Sequence, residues 1–118
     1  SAEVTALVKA ELRGGPFLVV YGDNFSDIDI ADFISWSEKA GGLGTVVVFK
    51  KEDIAGSGVV ECDAEGRIVR FLEKPAEGET ASRWVNAGIY RFDEEILGML
   101  PLGYSDFGSD IFPEAVRR

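Results

Sequence analysis

The sequence predicts an α/β fold with a mixed, mainly parallel sheet flanked by helices. In the first half of the chain, apolar runs of strand length alternate with segments of helical periodicity. Two of these runs, residues 17–20 and 45–50, are almost entirely apolar, which is typical of strands covered on both faces of a parallel sheet. The second half carries a hairpin pattern. We expect one domain over residues 1–118, with a βαβ part at 1–56 and a hairpin part at 57–118.

The opening helix is predicted from apolar residues at helical spacing, which are Val4, Leu7, Val8 and Leu12. The Gly-Gly-Pro sequence at 14–16 should end it, and the strand at 17–20 follows. That strand runs into Gly22 and Asp23, and the pattern leaves two explanations open. Gly and Asp form turns, but open α/β sheets also bind ligands at the carboxyl ends of their strands.

The second helix should begin at Asp29 as its N-cap and bury one face that includes Phe33. Glycines at 41 and 42 should end it, since glycine is common just beyond a helix. The strand at 45–50 would then complete a βαβ unit with a right-handed crossover.

The second half begins with a β-hairpin, because the stretch GVVECDAEGRIVRFLEKP has strand patterns on either side of a DAEG turn. Residues 84–92 should form a further strand. Asp93 is expected to cap a short helix that ends before Pro101, and Ser109 or Asp110 should cap the last helix.

Glu73 is a candidate for chemistry. If the second hairpin strand alternates regularly, Glu73 shares a face with Val69 and Phe71, and a carboxylate placed there needs a donor, a cation or a ligand. Pro75 should hold Lys74 in an extended conformation. A solvated strand end with an ordinary Glu–Lys pair would explain the same residues.

Asn86 is a second candidate. It should lie on the same sheet face as Trp84, Gly88 and Tyr90. Its amide offers donors and an acceptor to a hydroxyl-rich ligand, but it could equally serve a neighbouring loop. Gly88 within a strand indicates a bulge or a close approach of another chain segment.

Charge and cysteine content narrow the function classes. The net charge of −9, with no His, argues against nucleic acid or a membrane surface as a partner. The one cysteine, Cys62, cannot form an internal disulfide, which is consistent with a reducing cytoplasm. Its acidic neighbours Glu61 and Asp63 disfavour a nucleophilic thiolate. The apolar runs are all far shorter than a membrane span.

Several stretches, taken in order, resemble the sugar-phosphate nucleotidyltransferase family: FLVVYGDN, GSGVVECDAEGRIVRFLEKP, VNAGIYRF and SDIFPE. Enzymes of this family join a nucleoside triphosphate to a sugar 1-phosphate, giving a nucleotide sugar and pyrophosphate. The resemblance covers residue 17 to the end of the chain. It implies a Rossmann-like, GT-A-type nucleotidyltransferase fold, Mg²⁺ as cofactor, and a hexose 1-phosphate and a nucleoside triphosphate as substrates.

The resemblance also implies roles for catalysis. Asp23, which follows Gly22, matches the carboxylate that binds Mg²⁺ beside the phosphates. Lys74 matches a lysine that grips the sugar's phosphate. Positioning and charge neutralisation would supply most of the rate, so no protein nucleophile is expected.

On the sugar side, the resemblance implies three contacts within the part at 57–118. Gly58 matches a glycine whose backbone meets the sugar. Glu73 matches a glutamate that binds sugar hydroxyls, and Asn86 matches a sugar-contacting asparagine.

The departures from the family pattern are also informative. Nothing here matches the arginine-bearing, glycine-rich loop that cradles the triphosphate, and a second metal-binding aspartate would lie beyond residue 118. We therefore expect a truncated central piece of a longer enzyme, inactive alone and prone to self-association through an unpaired strand edge. One alternative is a degenerate, non-catalytic module with a regulatory or assembly role. Another is an unrelated α/β domain with coincidental motifs.

Overall fold

The computed structural model describes residues 1–101, 103 and 105–118. The α-helices of this part are α1 (Ala2–Leu7), α2 (Lys9–Leu12), α3 (Ile30–Ala40) and α4 (Phe112–Arg117). The strands are β1 (Phe17–Val20), β2 (Gly44–Lys50), β3 (Gly58–Cys62), β4 (Ile68–Glu73) and β5 (Trp84–Phe92). A 3₁₀ helix spans Glu94–Met99, and a π-helical segment spans Phe107–Ile111. None of the described helices has the length and apolar character needed to cross a membrane.

The strand β5 organises the sheet. Its residue Phe92 pairs with both Phe17 of β1 and Gly44 of β2, so these two strands lie on opposite edges of β5. At the other end of β5, Val85 pairs with Val59 of β3 and also with β2, which places β3 on the same edge as β1. The hairpin partner β4 extends the sheet beyond β3.

The prediction of a mainly parallel sheet is wrong. The strands β1 and β2 run in the same direction, but β5 lies between them, and every hydrogen-bonded strand pair in the described part is antiparallel. The apolar run of β1 is also less covered than predicted, because Leu18 and Val20 are exposed. Apolar composition indicates burial but not the direction of the neighbouring strand.

An aromatic cluster fills the core between β5 and the C-terminal helical segments. Tyr90 and Phe107 are fully buried, and the ring of Tyr90 lies 5.0 Å from that of Phe112, edge to face. Phe71 of β4 packs on Phe112 at 4.9 Å. Such ring pairs add stability beyond the area they bury.

The N-terminus of α3 forms as predicted. The Asp29 side chain accepts a hydrogen bond of 3.0 Å from the backbone N–H of Asp32, which satisfies a donor that the helix itself leaves free. Phe33 is buried on the inner face. Gly41 follows the helix with a positive φ of 70°, a conformation that favours glycine.

The opening helix differs from the prediction in its extent and its buried face. It is divided at Val8 into α1 and α2, and Leu7 of the predicted apolar face is 83% exposed. Ala2 and Thr5 are buried instead. Their small side chains let α1 approach the core closely, where the backbone N–H of Glu3 bonds to the carbonyl of Ser105. Apolar spacing predicted the helix but not this close approach.

The hairpin turn forms at the predicted place. The Asp63 carbonyl accepts from the N–H of Gly66, and its side chain accepts from the N–H groups of Glu65 and Arg67. Asp93 caps the next helix as predicted by accepting from Glu95 N–H, although that helix is 3₁₀.

Candidate functional site

The Gly-Asp loop after β1 is anchored on β5. The backbone N–H of Tyr21 donates to the Gly88 carbonyl at 3.0 Å, and Asn24 Nδ2 donates to the Ala87 carbonyl at 2.6 Å. Asp23 lies between these anchors, and its side chain is exposed. The loop therefore presents a carboxylate to solvent from a fixed position beside the sheet.

Gly88 makes this anchoring possible. Its φ of +73° is strained for any residue with a side chain. A Cβ at this position would overlap Asn24 Nδ2 and lie 3.0 Å from the Tyr21 ring. The close approach expected at this glycine is thus made by the Gly-Asp loop itself.

Asn86 is held at both ends of its amide. Its Oδ1 accepts from Gly88 N–H at 2.9 Å, which fixes the amide orientation, and its Nδ2 donates to the Tyr90 hydroxyl at 2.7 Å. The Tyr90 hydroxyl in turn donates to that of Tyr21 over a longer distance of 3.4 Å. Burial, followed by the hydrogen bond to Tyr21, raises the pKa of Tyr90. Within the described part of the chain, the second hydrogen of Asn86 Nδ2 makes no hydrogen bond.

Glu73 lies opposite Gly58 in the hairpin register. Glu73 is an exposed residue, but its Oε2 approaches two glycines closely. A Cβ on Gly58 would meet this oxygen at 3.1 Å and the Phe71 ring at 3.2 Å, and a Cβ on Gly108 would overlap it. Burial and then the charge of Asp106 raise the pKa of Glu73, which the neighbouring Lys74 partly offsets.

Lys74 does not adopt the predicted extended conformation. Its φ is +48°, in the left-handed region, although Pro75 follows it. Its N–H donates to the Ser57 carbonyl at 3.1 Å, and this bond stabilises the turn by which the chain leaves the hairpin. Its ammonium forms none of the ion pairs among the described residues. Strained non-glycine residues of this kind are concentrated at functional sites.

Asp106 is a site residue that the sequence did not single out. Its carboxylate accepts from the N–H groups of Gly108 and Ser109, so it caps the π-helical segment in place of the predicted Ser109 or Asp110. Asp110 accepts in turn from the N–H of Asp106 at 2.7 Å. Burial works against ionisation of Asp106, but hydrogen bonds from the Ser1 hydroxyl and these amides bring its pKa below the ordinary value. The signal in the sequence was an Asp placed before a Phe-Gly pair, which resembles an ordinary turn.

The structure brings the candidate residues together in two groups that border the same aromatic core. The loop of Asp23 adjoins Asn86 through Gly88 of β5, which bonds to Tyr21 and to Asn86. Glu73, Lys74 and Gly58 meet at the end of the hairpin. Tyr90 links the groups, because it bonds to Asn86 and packs on Phe112, which also contacts Phe71 beside Glu73.

The donor set is consistent with a magnesium ion held partly by the ligand. Within the described residues, no three His, Cys, Asp or Glu side chains are grouped to hold a metal. Mg²⁺ usually keeps several waters and takes one or two carboxylates together with substrate phosphates. Exposed Asp23 is suited to be such a single carboxylate.

Cys62 lacks the environment of a nucleophile. Burial and the charge of Asp63 raise the pKa of its thiol, which keeps it protonated near neutral pH.

The whole chain, residues 1–118, matches the Nucleotidyl transferase family. It is 35% identical over 103 residues to a UTP–glucose-1-phosphate uridylyltransferase of Synechocystis, covering 85% of this chain and 26% of that protein. It is 33% identical over 115 residues to the mannose-1-phosphate guanylyltransferase catalytic subunit beta of Drosophila melanogaster, covering 96% of this chain and 31% of that one. The chain thus spans about a quarter to a third of the length of these relatives.

Solved structures show the same fold. An apo-UDP-glucose pyrophosphorylase superposes with a TM-score of 0.77 at 18% identity, over 98% of this chain and 46% of that one. HddC from Yersinia pseudotuberculosis gives a TM-score of 0.75 at 18% identity, over 97% of this chain and 48% of that one. Because the family match extends over every residue, this chain belongs to the nucleotidyl transferase family.

Proposed function

We propose that this chain forms the sugar-phosphate-binding part of a sugar-1-phosphate nucleotidyltransferase. Such an enzyme converts a hexose 1-phosphate and a nucleoside triphosphate into a nucleotide sugar and pyrophosphate. The observation that carries the proposal is the end of β4, where Glu73 faces Gly58 and strained Lys74 presents an ammonium without an ion-pair partner in the described part. The relatives named as uridylyl- and guanylyltransferases support it.

The sugar would be bound by residues of 57–118. Glu73 accepts hydrogen bonds from sugar hydroxyls, which would offset the burial and the charge of Asp106 that raise its pKa. Asn86 gives its remaining amide hydrogen to the same ligand, and the backbone of Gly58 lets the sugar approach closely. Lys74 neutralises the phosphate charge, which a chain of net charge −9 cannot do through its overall field.

The chemical step would depend on position and charge. The sugar-phosphate oxygen attacks the α-phosphorus in line, and pyrophosphate leaves. Mg²⁺ bound at Asp23, which follows Gly22, would neutralise phosphate charge. Lys74 orients the attacking phosphate, and no protein nucleophile is required.

The chain alone should be inactive, since its 118 residues contain no arginine-bearing, glycine-rich loop for the triphosphate. We propose a cytoplasmic location for the chain, where Cys62 would stay reduced. We also propose that it self-associates, because β1 pairs only with β5 in the described part and exposes Leu18 and Val20.

The first experiment is a titration of the purified chain with glucose 1-phosphate and mannose 1-phosphate, followed by amide NMR shifts. We expect weak binding that Lys74→Ala abolishes. Lys39→Ala is the matched control, because Lys39 is exposed on α3, away from the candidate residues. Absence of binding to either sugar phosphate would favour the degenerate regulatory or assembly module. Mg²⁺-dependent pyrophosphate release by the chain would contradict its inactivity.

A further inference from the structure

The carboxylate of Glu73 lies in a notch formed by two glycines from distant parts of the chain. Gly58 is its register partner in the hairpin. Gly108 belongs to the π-helical segment that precedes α4. An ideal Cβ on Gly58 would lie 3.1 Å from Glu73 Oε2. An ideal Cβ on Gly108 would lie closer still to the same oxygen.

Space, not backbone conformation, explains why residue 108 is a glycine. Its φ lies outside the left-handed region, so its backbone could accommodate any L-residue. Of the three atoms nearest to the added Cβ, two belong to Glu73 and the other is Asp106 Oδ2, at 3.2 Å. Asp106 is held by the N–H groups of Gly108 and Ser109, whereas the Glu73 carboxylate is the far end of a flexible side chain. A methyl group at 108 should therefore move Glu73 and leave the fold intact.

We propose that Gly108 is a positioning residue for the Glu73 carboxylate, and that its missing side chain sets where this carboxylate meets the sugar. The role in sugar binding rests on the proposed function; the placement of Glu73 does not. A side chain at 108 would push the carboxylate out of the notch, towards solvent and away from Asp106.

The charges around the notch explain why the position of the Glu73 carboxylate matters for ligand binding. Asp106 faces Glu73 from the π-helical segment, and Lys74 is the adjacent cation on its own strand. Asp106 stays ionised because backbone amides bond to it, so Glu73 is held against a like charge. Hydroxyl donors from a ligand relieve this repulsion when the Glu73 carboxylate lies in the notch. Binding should therefore be sensitive to small displacements of this carboxylate.

The test compares Gly108→Ala with Gly98→Ala, whose Cβ would enter open space with an ordinary φ. The carboxyl pKa of Glu73 is measured by side-chain ¹³C NMR, and binding of glucose 1-phosphate and mannose 1-phosphate by titration. We expect Gly108→Ala to keep the thermal midpoint of the control, to lower the pKa of Glu73 towards its ordinary value, and to weaken binding by about tenfold or more. In a Glu73→Ala background, where no carboxylate is left to displace, Gly108→Ala should weaken binding no further.

An unchanged pKa of Glu73 in Gly108→Ala would overturn the proposal, as would an equal loss of binding in the Glu73→Ala background. Loss of the folded state in Gly108→Ala would also overturn the proposal. The space beside residue 108 would then be limited by rigid structure and not by the movable Glu73 side chain. If the wild-type chain binds neither sugar phosphate, the proposed function fails, while the pKa measurement still decides whether Gly108 positions Glu73.

Discussion

Asn24 donates a hydrogen bond of 2.6 Å from its side-chain amide to the main-chain carbonyl of Ala87, and this bond ties the Gly-Asp loop to the middle of β5. The loop and the kinked strand therefore form one unit. Asp23 takes its position from a residue more than sixty positions away along the chain.

Removing that amide should loosen the loop without unfolding the protein. We expect Asn24→Ala to reduce the free energy of unfolding by only about 0.5–1.5 kcal/mol, because the exposed Ala87 carbonyl can bind water instead. Amide hydrogen exchange should accelerate at Tyr21 and Asn24, whose N–H groups bond to the carbonyls of Gly88 and Tyr21. Asp27→Ala, in the same exposed segment, is the control; equal exchange rates in both variants would show that Asn24 does not anchor the loop.

Gly88→Ala should be much more damaging. The substitution combines a strained positive φ with overlap onto Asn24, and we expect a loss of about 2–4 kcal/mol in urea unfolding. Gly15→Ala, with an ordinary φ and open space around it, should change stability by less than about 0.5 kcal/mol. In the Asn24→Ala background the cost of Gly88→Ala should fall, and full additivity would refute the assigned contact.

Lys74 should show opposite effects on stability and on binding. Lys74→Gly removes the strain of φ +48° and should raise the free energy of unfolding by about 0.5–1 kcal/mol. It should also abolish binding of a hexose 1-phosphate. Lys74→Ala keeps the strained backbone and should lose binding without the gain in stability. If both variants have the same stability, the backbone at this position is not strained.

Glu73 should make stability depend on pH in a direction unusual for a carboxylate. Burial and Asp106 raise its pKa in the folded state, so the folded protein binds this proton more tightly than the unfolded chain. The stabilisation is complete below the ordinary glutamate pKa and is lost as pH rises through the raised value. Urea unfolding of wild type and Glu73→Gln between about pH 3 and 7 should show it as a difference between the two. Wild type should therefore lose stability relative to Glu73→Gln as pH rises, and Asp106→Asn should reduce that loss. A wild-type stability that instead rises with pH relative to Glu73→Gln would contradict the assignment.

Local features of the fold were predictable from local sequence. Asp29 caps α3 because an Asp before an apolar helical pattern can accept from a free N–H of the first helical turn. The DAEG turn was predictable because Asp and Gly favour turns between two strand patterns. Residue parity also placed Glu73 near Phe71, which the structure shows beside the same glycine. These inferences needed no knowledge of distant segments.

The failures all involve contacts between distant segments. The insertion of β5 between β1 and β2 depends on pairing of residues 17–20 with 89–92, and no local pattern reports it. The left-handed backbone of Lys74 depends on a hydrogen bond to Ser57, which overrides the preference set by Pro75. Asp106 and Gly108 reach Glu73 only because the last helix folds back over the hairpin.

The position of β5 also governs the order in which this sheet can assemble. β5 is the shared neighbour of β1, β2 and β3, and it is the last of these strands to leave the ribosome. Until residue 92 has been synthesised, β1 and β2 lack the partner that they pair with among the described strands. The high contact order of this arrangement predicts slow folding of the sheet, which can begin only after β5 has been made. We therefore expect β1 and β2 to be the segments of this sheet that a chaperone would bind while the sheet is being made.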